Sequence, residues 1–92
     1  MFEGTIEEVA AQAELLLGKL ASGAICVPQP WDRRVDCLLK LPDGSIIGEM
    51  ISIEEVTDRR IRATAERLQK RSDGIDVPLV NEVYSPARIT PR

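Results

Sequence analysis

The chain has 92 residues, with 15 acidic and 12 basic side chains, a net charge of −3 and no histidine. That length sets one domain, and the acidic balance argues against nucleic acid as the favoured partner. Without histidine, a Ser-His or Cys-His catalytic pair and a histidine metal site are both excluded.

No apolar run approaches the ~20 residues of a membrane span, so no membrane partner is expected. The opening stretch "MFEGTIEEVA" is acidic and lacks the positively charged start of a signal peptide. The two cysteines, Cys26 and Cys37, are therefore expected to be free thiols in a reducing, cytoplasmic setting. Hydrophobic residues make up 43% of the chain. A domain of this size buries only about two-thirds of its unfolded surface, so a homodimer that buries more is expected. Charge is uneven: residues 1–58 carry −7 and residues 59–92 carry +4.

In chain order, Thr5 and Glu8 form a capping-box pattern ahead of Ile6, Val9, Ala10, Ala13, Leu16, Leu17 and Leu20, which recur at helical spacing. The helix is expected to stop at Ser22-Gly23. A short strand, "AICV", follows and is closed by "PQP". Proline cannot donate to a ladder, so this strand ends there or lies on an edge. Next, "RVDCLLKL" and "SIIGEMIS" flank "PDGS", a hairpin pattern. Ser52 and Glu55 make a second capping box, opening a polar helix to about Arg71 with Ile61, Ala65 and Leu68 facing inward. Val56 fits that stripe poorly, which implies a bent first turn or a start at Thr57. "DVPLVNEVY" reads as a last strand, and "SPARITPR" as a C-terminal arm. The expectation is a single α+β domain over residues 1–84, of order α-β-β-β-α-β. It has a small, mostly antiparallel sheet and two helices, with an arm at 85–92.

Taking Asp43-Gly44 as a two-residue turn pairs Leu41 with Ile46, Leu39 with Gly48, Cys37 with Met50 and Val35 with Ser52 on one apolar face. The other face then carries Lys40 with Ile47, Leu38 with Glu49 and Asp36 with Ile51. In that register Asp36 and Glu49 share a face at diagonal positions about 7–8 Å apart at the backbone. Two carboxylates so placed suit a hard divalent metal.

The element order, with Asp36 on the second strand and Glu49 on the third, resembles the core of the PD-(D/E)xK nuclease superfamily. The resemblance implies a divalent metal held by these two acids and a lysine two residues after the glutamate. Here Ile51 stands at the lysine position and Val35 at that of the motif proline. Lys40, on the same face in this register, is the displaced alternative, and Glu7, Glu8 or Glu14 would supply the family's further carboxylate. The simpler account keeps Asp36 and Glu49 as surface carboxylates beside Lys40, Arg33, Arg34 or helix arginines.

Three further features carry binding expectations. Arg59, Arg60, Arg67, Lys70 and Arg71 fall within about a third of the second helix's circumference, either a solvated face or a set of phosphate contacts. Trp31, between prolines and arginines in "PQPWDRR", is a lid on the core, a dimer contact or a binding anchor. Leu38, Ile47 and Ile51 make one hairpin face too apolar to be simply solvated. Cys26 and Cys37 read as buried small hydrophobes. No phosphate-binding loop or dinucleotide fingerprint is present, and no cofactor is expected. The function these features favour is non-catalytic: a homodimeric module binding a protein or small ligand through Trp31, Leu38, Ile47 and Ile51. The alternatives are a metal-dependent or decayed nuclease holding metal at Asp36 and Glu49, and phosphate-backbone binding by the basic helix.

Overall fold

A computed structural model describes residues 2–81. Helix α1 spans Ile6–Leu20, strands β1, β2 and β3 span Ile25–Gln29, Arg34–Lys40 and Ile46–Ser52, and helix α2 spans Asp58–Ser72. Short 3-10 turns occupy Pro30–Asp32 and Ile53–Glu55. The strands form an antiparallel sheet of order β1-β2-β3. The class is α+β, as expected, and the order α-β-β-β-α holds through α2. The last expected strand does not form in its described part. Residues 76–79 take no regular structure, and Asn81 adopts φ 52, which an extended strand does not allow. The Asn81 carbonyl does accept the Met50 N–H at 3.2 Å, one hydrogen bond at the outer edge of β3. The rest of that expected strand and the arm lie outside the described residues.

The first capping box is formed. Thr5 Oγ1 accepts the Glu8 N–H at 3.2 Å, and Glu8 Oε1 accepts the Thr5 N–H at 2.8 Å, satisfying donors that the helix start leaves without partners. The second is not formed. Ser52 makes no capping bond, and α2 starts instead from Thr57, whose Oγ1 accepts the Arg60 N–H at 3.1 Å. Val56 supplies the reason. It is only 6% exposed, yet a helix continuous from Ser52 would hold it about 140° around the axis from Ile61. The break between Ile53–Glu55 and α2 lets Val56 enter the core.

Both helices cover the same face of the sheet. Val35, Cys37 and Leu39 of β2 and Ile47 and Ile51 of β3 pack beneath Val9, Ala10, Ala13 and Leu17 of α1 and Ile61, Ala65 and Leu68 of α2. Each large side chain fully buried there contributes about 1.5–3 kcal/mol. Strand β1 runs on through Pro28 and is an edge strand. Its outward N–H at Cys26 donates to Glu14 Oε1 at 2.8 Å, and Pro28 has none to offer, so this edge is protected against pairing.

The hairpin register differs by one residue from the expected one. The observed partners are Val35 with Ile51, Asp36 with Met50, Cys37 with Glu49, Leu38 with Gly48 and Leu39 with Ile47. The connection is a three-residue loop, Pro42-Asp43-Gly44. The Gly44 N–H donates to the Leu41 carbonyl at 2.9 Å and the Leu41 N–H to the Ser45 carbonyl at 2.7 Å. Pro42 fills the second position of this turn, which its fixed φ suits, and Gly44 follows at φ 93, a left-handed conformation that glycine adopts without strain. Asp43 Oδ1 accepts both the Ser45 N–H at 2.9 Å and the Ser45 hydroxyl at 2.6 Å. Those two bonds, the hydroxyl's first, hold the Asp43 carboxyl below its ordinary value. The observed register also places Ile47 and Ile51 in the core, where the two-residue turn would have placed Gly48 and Met50.

Candidate functional site

The register decides what the two carboxylates do. Asp36 and Glu49 lie on opposite faces of the sheet, because Glu49 pairs with Cys37 and Asp36 with Met50. They do not converge on one cation, and each is already engaged by arginine. Glu49 is fully buried under α2. Arg67 donates Nε–H to Glu49 Oε2 at 2.7 Å and Nη2–H to Oε1 at 2.8 Å, and the Thr64 hydroxyl donates to Oε1 at 3.1 Å. Arg60 Nη2 stands 3.8 Å from the same oxygen. The hydrogen bond to Glu49 holds the Arg67 guanidinium above its ordinary value. Asp36 is equally buried. Its Oδ1 accepts Arg34 Nε–H at 2.9 Å and its Oδ2 accepts the Gln29 amide at 3.2 Å. Neither acid is the surface carboxylate of the simpler account. Among the described residues no group of three or more acids or cysteines is arranged to hold a metal.

The basic set of α2 is divided in the same way. Arg67 and Arg60 turn inward to Glu49, and Arg60 also donates to Glu55 at 3.4 Å. Lys70 pairs with Glu66 at 3.3 Å, and Arg71 donates to the Val77 carbonyl at 3.4 Å. Arg59 is left on the exposed surface. The five cations therefore do not present one open phosphate-binding face. Thr64 and Gln29, absent from the sequence-derived candidates, complete the two carboxylate clusters. The usable signal was Thr64 and Arg67 three residues apart on α2, one turn of the same inner flank.

The apolar candidates also divide. Ile47 and Ile51 are core residues under the helices and belong to no binding face. Leu38 does point away from the helices, alongside Ile25, Val27, Ile46 and Met50. Ile25 is 46% and Ile46 37% exposed. A shallow pocket of about 110 Å³ opens at this end of the sheet, lined by Gly23, Ile25, Leu38, Leu39, Lys40 and Ile46. Trp31 is 98% exposed at the tip of the Pro30–Asp32 turn, so it is not a lid on the core. Arg33, at φ 47, closes that turn and pairs with Glu54 at 3.2 Å.

Cys26 and Cys37 are free and buried, directly opposite one another on β1 and β2. The neighbouring Cys37 thiol first, and burial second, hold the Cys26 thiol far above its ordinary value of 9.0. Above that pH the unfolded chain releases the Cys26 proton while the folded protein keeps it, so the unfolded state binds fewer protons and stability falls as pH rises. The expected slope is up to about 1.4 kcal/mol per pH unit. In urea denaturation from about pH 8 to about pH 10, Cys26→Ser is expected to lose stability less steeply than the parent protein. Equal slopes would place the thiol's proton in contact with water.

No helix among the described residues is long and apolar enough to cross a membrane. Comparison of the chain with protein-family models, with curated proteins and with solved structures gives no match. The class that fold and site define is a small α+β domain with a sheet covered by helices on one face, an arginine-clamped carboxylate on each side, and an outer face that carries Ile25, Val27, Leu38, Ile46 and Met50 beside the Asp36 cluster.

Proposed function

We propose that this protein is a non-catalytic interaction module that pairs with a second copy of itself through the outer face of its sheet. One observation carries the reading: Ile25, Val27, Leu38, Ile46 and Met50 gather on the face that neither helix covers. The pocket on that face, at about 110 Å³, falls well short of the ~300–1,000 Å³ of a small-molecule site. A broad protein surface suits it better than a cofactor. A second copy fits because a two-fold axis through the face sets the same apolar residues against each other, without any new chemistry. It also supplies the apolar burial that a 92-residue chain with 43% hydrophobic residues lacks alone. Fully exposed Trp31, on the turn beside the sheet, is the further anchor for a partner. The engagement of both Asp36 and Glu49 by arginine supports the non-catalytic half of the reading. A reducing, cytoplasmic setting is part of this proposal, resting on the two free thiols.

Sedimentation velocity at micromolar concentration tests it. The parent protein is expected to sediment as a dimer. Ile46→Glu, at a position open enough to leave the fold intact, is expected to weaken association by about tenfold or more, because pairing would bury its carboxylate. A parent protein that stays monomeric up to about millimolar concentration overturns the reading.

A further inference from the structure

We propose that Cys26 and Cys37 form a reversible cross-strand disulfide in the folded protein, an oxidation site for small disulfides of the glutathione class. The pairing geometry carries this. Cys26 stands directly opposite Cys37 in the β1–β2 ladder. The Cys26 N–H points away from β2, to Glu14 Oε1 at 2.8 Å. This makes Cys26 and Cys37 a non-hydrogen-bonded pair, the closer of the two kinds, with Cα atoms about 4.5 Å apart. Disulfides span about 4.4–6.8 Å between Cα atoms, so the backbone is already within range. The two sulfurs lie 3.8 Å apart, and side-chain rotation has only to close them to the ~2.05 Å of the bond.

Glutathione disulfide is the oxidant. The Cys26 thiol loses its proton and its sulfur attacks one sulfur of glutathione disulfide, breaking that S–S bond and releasing one glutathione thiolate. The Cys37 thiol then loses its proton and attacks the Cys26 sulfur, expelling the second glutathione thiolate. The protein gives up two electrons and two protons, and two glutathione thiols take them. Burial of both thiols makes the first attack depend on a transient opening of β1. That strand is a five-residue edge, hydrogen-bonded to a strand on one side only, so it is the segment suited to open. Oxidation would join this edge to the central strand. The inference is independent of whether the outer face pairs with a second copy.

The test uses the whole protein, incubated with mixtures of reduced and oxidised glutathione until its composition stops changing, then alkylated and weighed by mass spectrometry. The expected product is a single chain lighter by two hydrogens, resistant to alkylation and restored by dithiothreitol. Its thermal midpoint is expected to lie about 10 °C above that of the reduced protein. Cys37→Ser is expected to take up at most one glutathione and to show no such rise. Four results overturn the proposal: protein that stays reduced in the most oxidising mixture, accumulation of glutathione adducts, a disulfide between chains, or an internal disulfide that lowers the midpoint. The parent protein alone decides between these outcomes, whether or not the serine variant folds.

Discussion

Arg67→Ala is expected to destabilise the protein by about 3–5 kcal/mol, the usual cost of leaving a buried charge without its partner. The variant removes both short hydrogen bonds to Glu49, which has no exposure to water. The Thr64 hydroxyl at 3.1 Å remains, and Arg60 stands at 3.8 Å. Arg60 Nε and Nη2 are themselves buried without a hydrogen-bond partner among the described residues. Among the described residues Arg60 is thus the neighbouring cation placed to move in, which favours the lower end of the range. Replacing both members, Glu49→Leu with Arg67→Leu, is expected to cost less than Arg67→Ala, since the buried carboxylate leaves together with its guanidinium and Arg60 keeps Glu55 at 3.4 Å. Urea denaturation of the three proteins measures this. A loss below about 1 kcal/mol for Arg67→Ala would mean that Glu49 reaches water or another cation once the guanidinium is gone.

Gly48→Ala is expected to cost about 2–3 kcal/mol, although it adds a single methyl group. A Cβ at this position would stand 2.5 Å from Leu38 Cδ2 and 2.6 Å from the Cys37 carbonyl oxygen. Leu38 is a flexible side chain and can rotate aside. The Cys37 carbonyl belongs to the central strand, which pairs on both sides and is not free to shift. Thermal denaturation is expected to show a fall in midpoint of roughly 10 °C or more for a domain of this length. An unchanged midpoint would show that β2 and β3 slide apart locally at little cost, and with it that the register is loosely held.

The elements whose cause is local were legible in the amino-acid sequence. Thr5 and Glu8 lie within one turn of each other, and the capping box they predict is present. The stripe Val9, Ala10, Ala13 and Leu17 follows helical period and is buried. Proline in "ICVPQ" marks an edge strand because the missing N–H matters wherever a ladder would need it. A hairpin about Asp43-Gly44 was equally plain, and with it the α+β class.

What the sequence left to the tertiary structure turns on single residues. Two-residue and three-residue turns are both compatible with Asp43-Gly44, and the choice shifts the register by one. Because side chains alternate, that one step moves Glu49 under α2, separates it from Asp36 and exchanges Gly48 and Met50 for Ile47 and Ile51 in the core. Pro42 was the available clue, since its fixed φ suits the second position of a turn starting at Leu41. Likewise Ser52-Ile53-Glu54-Glu55 satisfies the capping pattern, but only the packed core shows that Val56 must turn inward, which moves the helix start to Thr57. Arg67 reads as one more cation on a basic helix until β3 places Glu49 within 2.7 Å of it. Short-range preferences set which elements form. The pairing of distant residues, decided by what the core can bury, sets which side chains meet.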